Sequence, residues 1–149
     1  MTAIPRPALI LGLAGLIPFL WGAATVFMPE LAGYAPPEIG PRFHGVEVLT
    51  IYGTVILAFM SGVLWGFAAK ATGARAALGY GLSVIPALWG FAVLGGAAGK
   101  PILPLMAGFA GLLLLDALFW MMNMAPRWWM RLRIILTAVV LACLAVPLV

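Results

Sequence analysis

Few side chains in this 149-residue sequence could do chemistry, and their spacing limits what that chemistry is. Asp116 is a lone carboxylate in a long apolar run, and Arg131 and Arg133 follow after a short connection. Asp116 sits about six residues, or about 9 Å, inside the run at the helical rise. An unpaired carboxylate at that depth in hydrocarbon is costly. Asp116 is therefore expected to form a structural ion pair with Arg131 or Arg133, across two antiparallel helices. A proton relay needs several ionisable groups in series, and only this one step is visible. Glu47 stands about one turn inside another apolar run, which makes it a functional candidate. A carboxylate also suits the first turn of a helix without any further role.

His44 is the sole histidine. It cannot by itself supply the three or four ligands of a metal site, or the two axial ligands of a bis-histidine haem. Ser61 and Ser83 lie in mid-run while His44 lies at an edge, so no Ser-His-Asp set forms. Cys143 has no second cysteine to pair with and reads as a small packing residue. No Gly-rich phosphate loop is present. The expectation is a protein without catalytic residues, without a metal site and without a cofactor. Tyr52, Trp65 and Trp89, with Glu47, are the candidates for lining a pocket between helices near Pro18 and Pro86.

The elements that must position these groups follow from composition. The chain is 65% hydrophobic and 8% charged, whereas soluble domains carry about a quarter charged residues. Eight Lys and Arg with four Asp and Glu cannot cover a water-soluble globule. A disordered chain would be richer in charge and poorer in aromatics. The sequence reads as an all-α integral membrane bundle. Five runs, 8–28, 45–69, 76–95, 101–122 and 128–149, reach the roughly 20 residues that span a bilayer. Helices are required because an open strand edge is unsatisfied in lipid.

Pro29, Pro36, Pro37 and Pro41 separate the first two runs. Gly73 separates the next pair, Gly99-Lys100-Pro101 the next, and Pro126 opens the last. Pro18 and Pro86 fall mid-span and should kink their helices. The first run exceeds a signal-peptide core and is expected to be retained. No linker divides the chain, so a single bundle is expected. No internal repeat is evident, and five helices cannot form two equal inverted halves of a transporter.

Five spans put Arg6, Lys70, Arg75, Arg127, Arg131 and Arg133 on one side, against Arg42 and Lys100 on the other. This asymmetry predicts a cytoplasmic amino terminus, or a matrix one in a mitochondrion. Arg127, Trp128 and Trp129 read as an anchor in the lipid headgroup layer. Nucleic acid is excluded as a partner of a segment placed there. Thr54, Ala58, Gly62 and Gly66 recur every fourth residue and include a Gly-x-x-x-Gly pattern. Such a row lets two helix backbones approach closely, either within the bundle, against Ala107 and Gly111, or in a homo-oligomer. The expected partners are membrane lipids and a larger membrane complex. Two functions compete: a non-catalytic accessory or assembly factor docking onto that complex, and binding or transport of a lipid or quinone inside the bundle. An enclosed apolar cavity with one or two polar groups would favour the second; a solid interior with an exposed small-residue face would favour the first.

Three stretches carry a resemblance. They are Ile4–Phe19, beginning Ile-Pro-Arg-Pro; Tyr52–Gly66, beginning Tyr-Gly-Thr; and Ala107-Gly108-Phe109 with Leu113-Leu114-Leu115-Asp116 and Trp129-Met130-Arg131-Leu132-Arg133. In order and spacing they resemble the domain of unknown function 3429, an uncharacterised bacterial and mitochondrial family that includes transmembrane protein 69-like chains. The resemblance implies a small multi-helix protein of the bacterial inner membrane, or of the mitochondrial inner membrane in a eukaryote. It implies no activity. The family often has His or Arg where this sequence has Leu64, so a ligand or proton carrier at that position is absent here.

Overall fold

The computed structural model describes residues 3–95 and 101–149. It is helical throughout, with no strand among the described residues. Five helical segments are long and apolar enough to cross a membrane: Arg6–Phe27, Gly45–Ala68, Gly73–Leu94, Ile102–Met121 and Trp129–Leu148. The first and third are broken. The first divides into α1 (Arg6–Ala14) and α2 (Ile17–Phe27), and the third into α4 (Gly73–Ser83) and α5 (Ile85–Gly95). The others are α3 (Gly45–Ala68), α6 (Ile102–Met121) and α7 (Trp129–Ala145). The expected turn at Gly99 and Lys100 lies outside the described residues.

Both breaks have one cause. Pro18 and Pro86 lack an amide hydrogen, and their rings crowd the carbonyl one turn earlier. Each stands at the second position of a fresh helix, α2 or α5, where the missing donor does no harm. A break leaves backbone groups without helical partners, and in lipid these must be satisfied. The long central helix α3 serves both. The Tyr52 hydroxyl donates to the Gly15 carbonyl at 3.1 Å, and the Ser61 hydroxyl accepts the Ala87 amide at 2.8 Å. A third bond ties α2 to the start of α3, where the Thr25 hydroxyl accepts the Gly45 amide at 2.8 Å. Gly45 itself has φ +62°, a conformation that only glycine adopts cheaply.

The structure corrects the reading that the chain lacks a repeat. Leu16-Ile17-Pro18-Phe19-Leu20-Trp21-Gly22 and Val84-Ile85-Pro86-Ala87-Leu88-Trp89-Gly90 form the same bend in the first and third spans. Each tryptophan then performs the same task. Trp21 donates its indole N–H to the Phe43 carbonyl at 2.8 Å, just before α3, and Trp89 donates to the Pro104 carbonyl at 2.7 Å, in the first turn of α6. The following helices match as well. Thr50, Thr54, Leu57, Ser61 and Leu64 are buried along α3, and Leu105, Phe109, Leu112, Asp116 and Phe119 are buried along α6 at the same intervals. A bent helix followed by a straight one thus occurs twice. The repeat was hidden because apolar positions exchange freely, leaving only Ile-Pro and Leu-Trp-Gly in common.

The core lies where α3 meets α2, α5 and α6, and it includes Phe19, Leu49, Leu57, Leu64, Leu105, Phe109 and Phe119. Close approach comes from glycines other than those of the four-residue row. A Cβ on Gly22 would meet Leu49 Cδ2 at 2.7 Å; on Gly53, Leu105 Cδ2 at 2.8 Å; on Gly108, Trp89 Cδ1 at 2.6 Å. Gly62, Gly66 and Gly111 have open space instead, and Ala58, Gly62 and Gly66 are exposed while Thr54 is buried. The reason is geometric. A helix advances about 100° per residue, so a four-residue step drifts about 40° and the row winds from the core to the outside. The outer faces are as apolar as the inside, with Phe27, Phe91 and Leu114 largely exposed, as a lipid environment allows.

Candidate functional site

A buried ion pair lies between α6 and α7. The turn that joins these helices sets its geometry. Two residues past the end of α6, Asn123 adopts φ +57°, and the amides here fold back: Asn123 N–H bonds the Trp120 carbonyl at 3.0 Å and Met124 N–H the Phe119 carbonyl at 2.9 Å. This left-handed cap, with Met124 and Phe119 both buried, reverses the chain within a few residues. α7 returns antiparallel, presenting Trp129, Arg133 and Thr137 on one stripe at four-residue intervals.

Asp116 is completely buried on α6. Its Oδ2 accepts from Arg133 Nε at 2.6 Å, and its Oδ1 accepts from Trp129 Nε1 at 2.8 Å. Of the two arginines expected, Arg133 is the partner; it is 5% exposed. Arg131, two residues away, points to the other side of α7 and is exposed. Arg133 is therefore part of the interior and leaves the tally of loop cations. Trp129 also departs from expectation. It is half-buried, gives its N–H to Asp116 and packs edge-on against Phe67 with centroids 5.0 Å apart, so it braces the pair. Arg127 is exposed beside the half-buried Trp128, and with Arg131 and Trp120 it borders a crevice of about 760 Å³ at the loop end of the bundle. Arg75 donates to the Met122 carbonyl at 3.2 Å, which places the loop before α4 at this same end.

Two polar atoms beside the pair are buried without a partner: Arg133 Nη2 and Thr137 Oγ1. Both residues line a cavity of about 270 Å³ bounded by α1, α2, α3, α6 and α7. Its other walls are apolar, with Leu16, Phe19, Ile56, Met60, Phe109 and Val140 among them. Tyr52 lines it too, with its hydroxyl already committed to Gly15. The cavity sits at the break of the first span, where Gly12 and Gly15 leave room. A second hollow of about 330 Å³ shares Leu11, Gly12, Phe59, Met60, Arg133 and Leu136 with it and continues to Pro126 and Trp128. Together they form one groove alongside α1, a helix with no buried residue.

Of the four pocket candidates read from sequence, only Tyr52 is in this groove. Trp89 lines a separate crevice of about 360 Å³ with Pro86 and Gly108 at the second break. Trp65 is half-exposed and packs on Tyr80 with centroids 4.6 Å apart. Glu47 is exposed at the start of α3. Sequence reasoning missed Thr137 and Thr25. Thr137 could have been found from its place one turn after Arg133 on the stripe that faces Asp116. Thr25 carries no such signal, because its partner is a backbone amide of a distant segment.

Comparison with known proteins adds a family and no activity. Residues 4–149 match the model of a family described as Protein of unknown function (DUF3429). The chain is 30% identical over 149 residues to mouse Transmembrane protein 69, covering 97% of this chain and 56% of that protein. It is 48% identical over 64 residues to Transmembrane protein 69 of Xenopus tropicalis, covering 43% of this chain and 22% of that protein. The chain thus spans about half the length of the mouse relative or less than a quarter of the frog one. No solved structure matches. A family match over nearly the whole chain, on a bundle of five membrane-length helices, identifies it as a membrane protein of the DUF3429 family.

Proposed function

We propose that this protein binds a hydrophobic small molecule, taken up sideways from the bilayer into the groove between α1 and α7. The observation that carries the proposal is that two residues lining an otherwise apolar cavity, Arg133 and Thr137, each bury a polar atom, Nη2 and Oγ1, without a partner. Buried polar groups are nearly always satisfied, and each exception calls for a partner outside the chain. Ligand sites share this pattern of apolar walls with a few convergent polar groups. The role is binding or transfer without catalysis. The basic residues Arg6, Lys70, Arg75, Arg127 and Arg131 support an amino terminus on the cytoplasmic or matrix side of a bacterial or mitochondrial inner membrane.

The test is extraction in native lipid discs followed by mass spectrometry of everything that co-isolates. One enriched hydrophobic molecule at near-stoichiometric yield is expected, and it should be lost in Gly12→Leu. The added side chain there starts 3.2 Å from Leu136 Cδ1 and fills the part shared by both hollows. Recovery of the protein with no enriched molecule sinks the proposal.

A second reading, an accessory factor docked on a larger membrane complex, has its own support. Ala58, Gly62 and Gly66 are exposed on α3, and among the described residues no atom lies within 4 Å of where a Cβ on either glycine would stand. Small residues of this kind admit a neighbouring helix closely. The same extraction distinguishes the two, since a stoichiometric membrane complex among the recovered proteins supports docking.

A further inference from the structure

The groove's polar end selects its ligand by charge, an inference that rests on the binding function proposed above. Arg133 is a cation. Its charge is already balanced, because Asp116 lies 2.6 Å from its Nε and is wholly buried. What remains unused is hydrogen bonding: the N–H groups of Arg133 Nη2 and the hydroxyl of Thr137 are buried without partners, one helical turn apart, on two residues that line the groove.

A fatty-acid carboxylate or a phosphate placed there would bring a second negative charge next to Asp116, with one cation between them. In a medium of low polarity the extra charge has no counter-ion and loses its hydration. A neutral oxygen acceptor meets the same two donors without that penalty. We infer that the groove takes a neutral, carbonyl-bearing amphiphile, with its carbonyl oxygen on Arg133 and Thr137 and its apolar chain along Leu11, Phe59 and Met60.

The route in fits such a molecule. Leu11 and Phe59 stand at the rim, 72% and 63% exposed, so the opening faces lipid rather than water. The anionic headgroups of ordinary phospholipids have a better site at the loop end, where Arg127 and Arg131 border the open crevice. Depth thus separates the two chemistries: phosphate among the loop arginines, neutral carbonyl at the buried pair. Two sources supply a neutral carbonyl on an apolar chain in membranes, a quinone ring and an acyl ester.

The experiment uses the full chain in phosphatidylcholine nanodiscs. Four probes are compared by native mass spectrometry: decylubiquinone, dioleoylglycerol, oleate and phosphatidylglycerol. The expected result is retention of one or both neutral probes in preference to both anions; whichever is retained distinguishes quinone from ester. Thr137→Val, which keeps the shape and removes the hydroxyl, is expected to weaken retention about fivefold, as for one hydrogen bond. Arg133→Lys keeps the charge beside Asp116 and removes the forked second nitrogen, and a similar loss is expected. Preference for oleate or phosphatidylglycerol, with the same sensitivity to Thr137→Val, would overturn the neutral class and leave the binding function standing. Retention unaffected by both variants would overturn the assignment of these two donors. Absence of retention of all four probes, with no co-isolating molecule in native discs, would remove the function and the inference together.

Discussion

Replacing Asp116 by Asn is nearly isosteric, so its effect comes from charge and hydrogen bonding rather than from shape. The substitution leaves Arg133, 5% exposed, without its counter-ion. It also replaces one of two acceptor oxygens by an NH₂ group. Trp129 Nε1 and Arg133 Nε both donate to Asp116, so one of them must now face a donor. Two magnitudes compete. Interhelical polar contacts in membranes average only about 0.6 kcal/mol, because the unfolded helices find other partners. Breaking a buried ion pair from one side costs about 3–5 kcal/mol. The second governs here, because the arginine charge persists after substitution and has no water to turn to. At about 2–4 °C per kcal/mol for a chain of this size, the unfolding midpoint should fall by about 10 °C. The assay is thermal unfolding of the purified protein in one detergent, with Arg131→Gln as control. A double variant, Asp116→Leu with Arg133→Met, should recover much of the loss, since removing both charges leaves none uncompensated. A midpoint unchanged in Asp116→Asn, or an equal fall in Arg131→Gln, would refute the reasoning.

Other consequences of the packing are open to measurement. Gly22→Ala drives a Cβ to 2.7 Å from Leu49 and should cost about 1–3 kcal/mol of stability, whereas Gly62→Ala should unfold like the parent. Ser61→Ala removes the acceptor of the Ala87 amide at the second break and should cost about 1 kcal/mol; hydrogen exchange should quicken at Ala87 and stay unchanged at the first break. Trp21→Phe and Trp89→Phe each remove one staple from a bent helix to the next straight one, so similar losses in unfolding midpoint are expected from both. If the exposed row on α3 is a docking face, Gly62→Ile should abolish association with the partner complex, read by native gel, while leaving the unfolding midpoint in place.

What the sequence made legible was set by single strong forces. Long apolar runs, basic loops and proline breaks define the five segments, because lipid punishes every alternative. The burial of Asp116 demanded a cation, so an arginine partner was foreseeable. Which arginine was not, since residues two apart lie about 200° around a helix and the phase of α7 depends on the Asn123 cap. The bond from Trp129 to Asp116 was missed for a related reason. At the membrane interface an indole suits headgroups and buried acceptors equally, and only the position of Asp116 decides between them. The small-residue row failed through its drift around α3, and the glycines that matter are marked by the bulk of their neighbours, which lie far away in sequence. The groove itself was invisible, because a cavity is a property of what several helices leave unfilled.

The twofold recurrence of bent and straight helices also bears on how such a chain can be assembled. A unit of two spans enters the bilayer and leaves it on the same side. A tandem copy therefore inherits the orientation of the first without any rewriting of its loop charges, whereas a unit with an odd number of spans would arrive upside down. The cations follow this rhythm: Arg6 opens the first bent helix, Lys70 precedes the second and Arg75 lies in its first turn, and Arg127 and Arg131 flank the start of α7. Each bent span, like α7, thus carries a basic residue before it or in its first turn. α7 lies outside both pairs, and it supplies one cavity wall and the arginine that meets the Asp116 carboxylate.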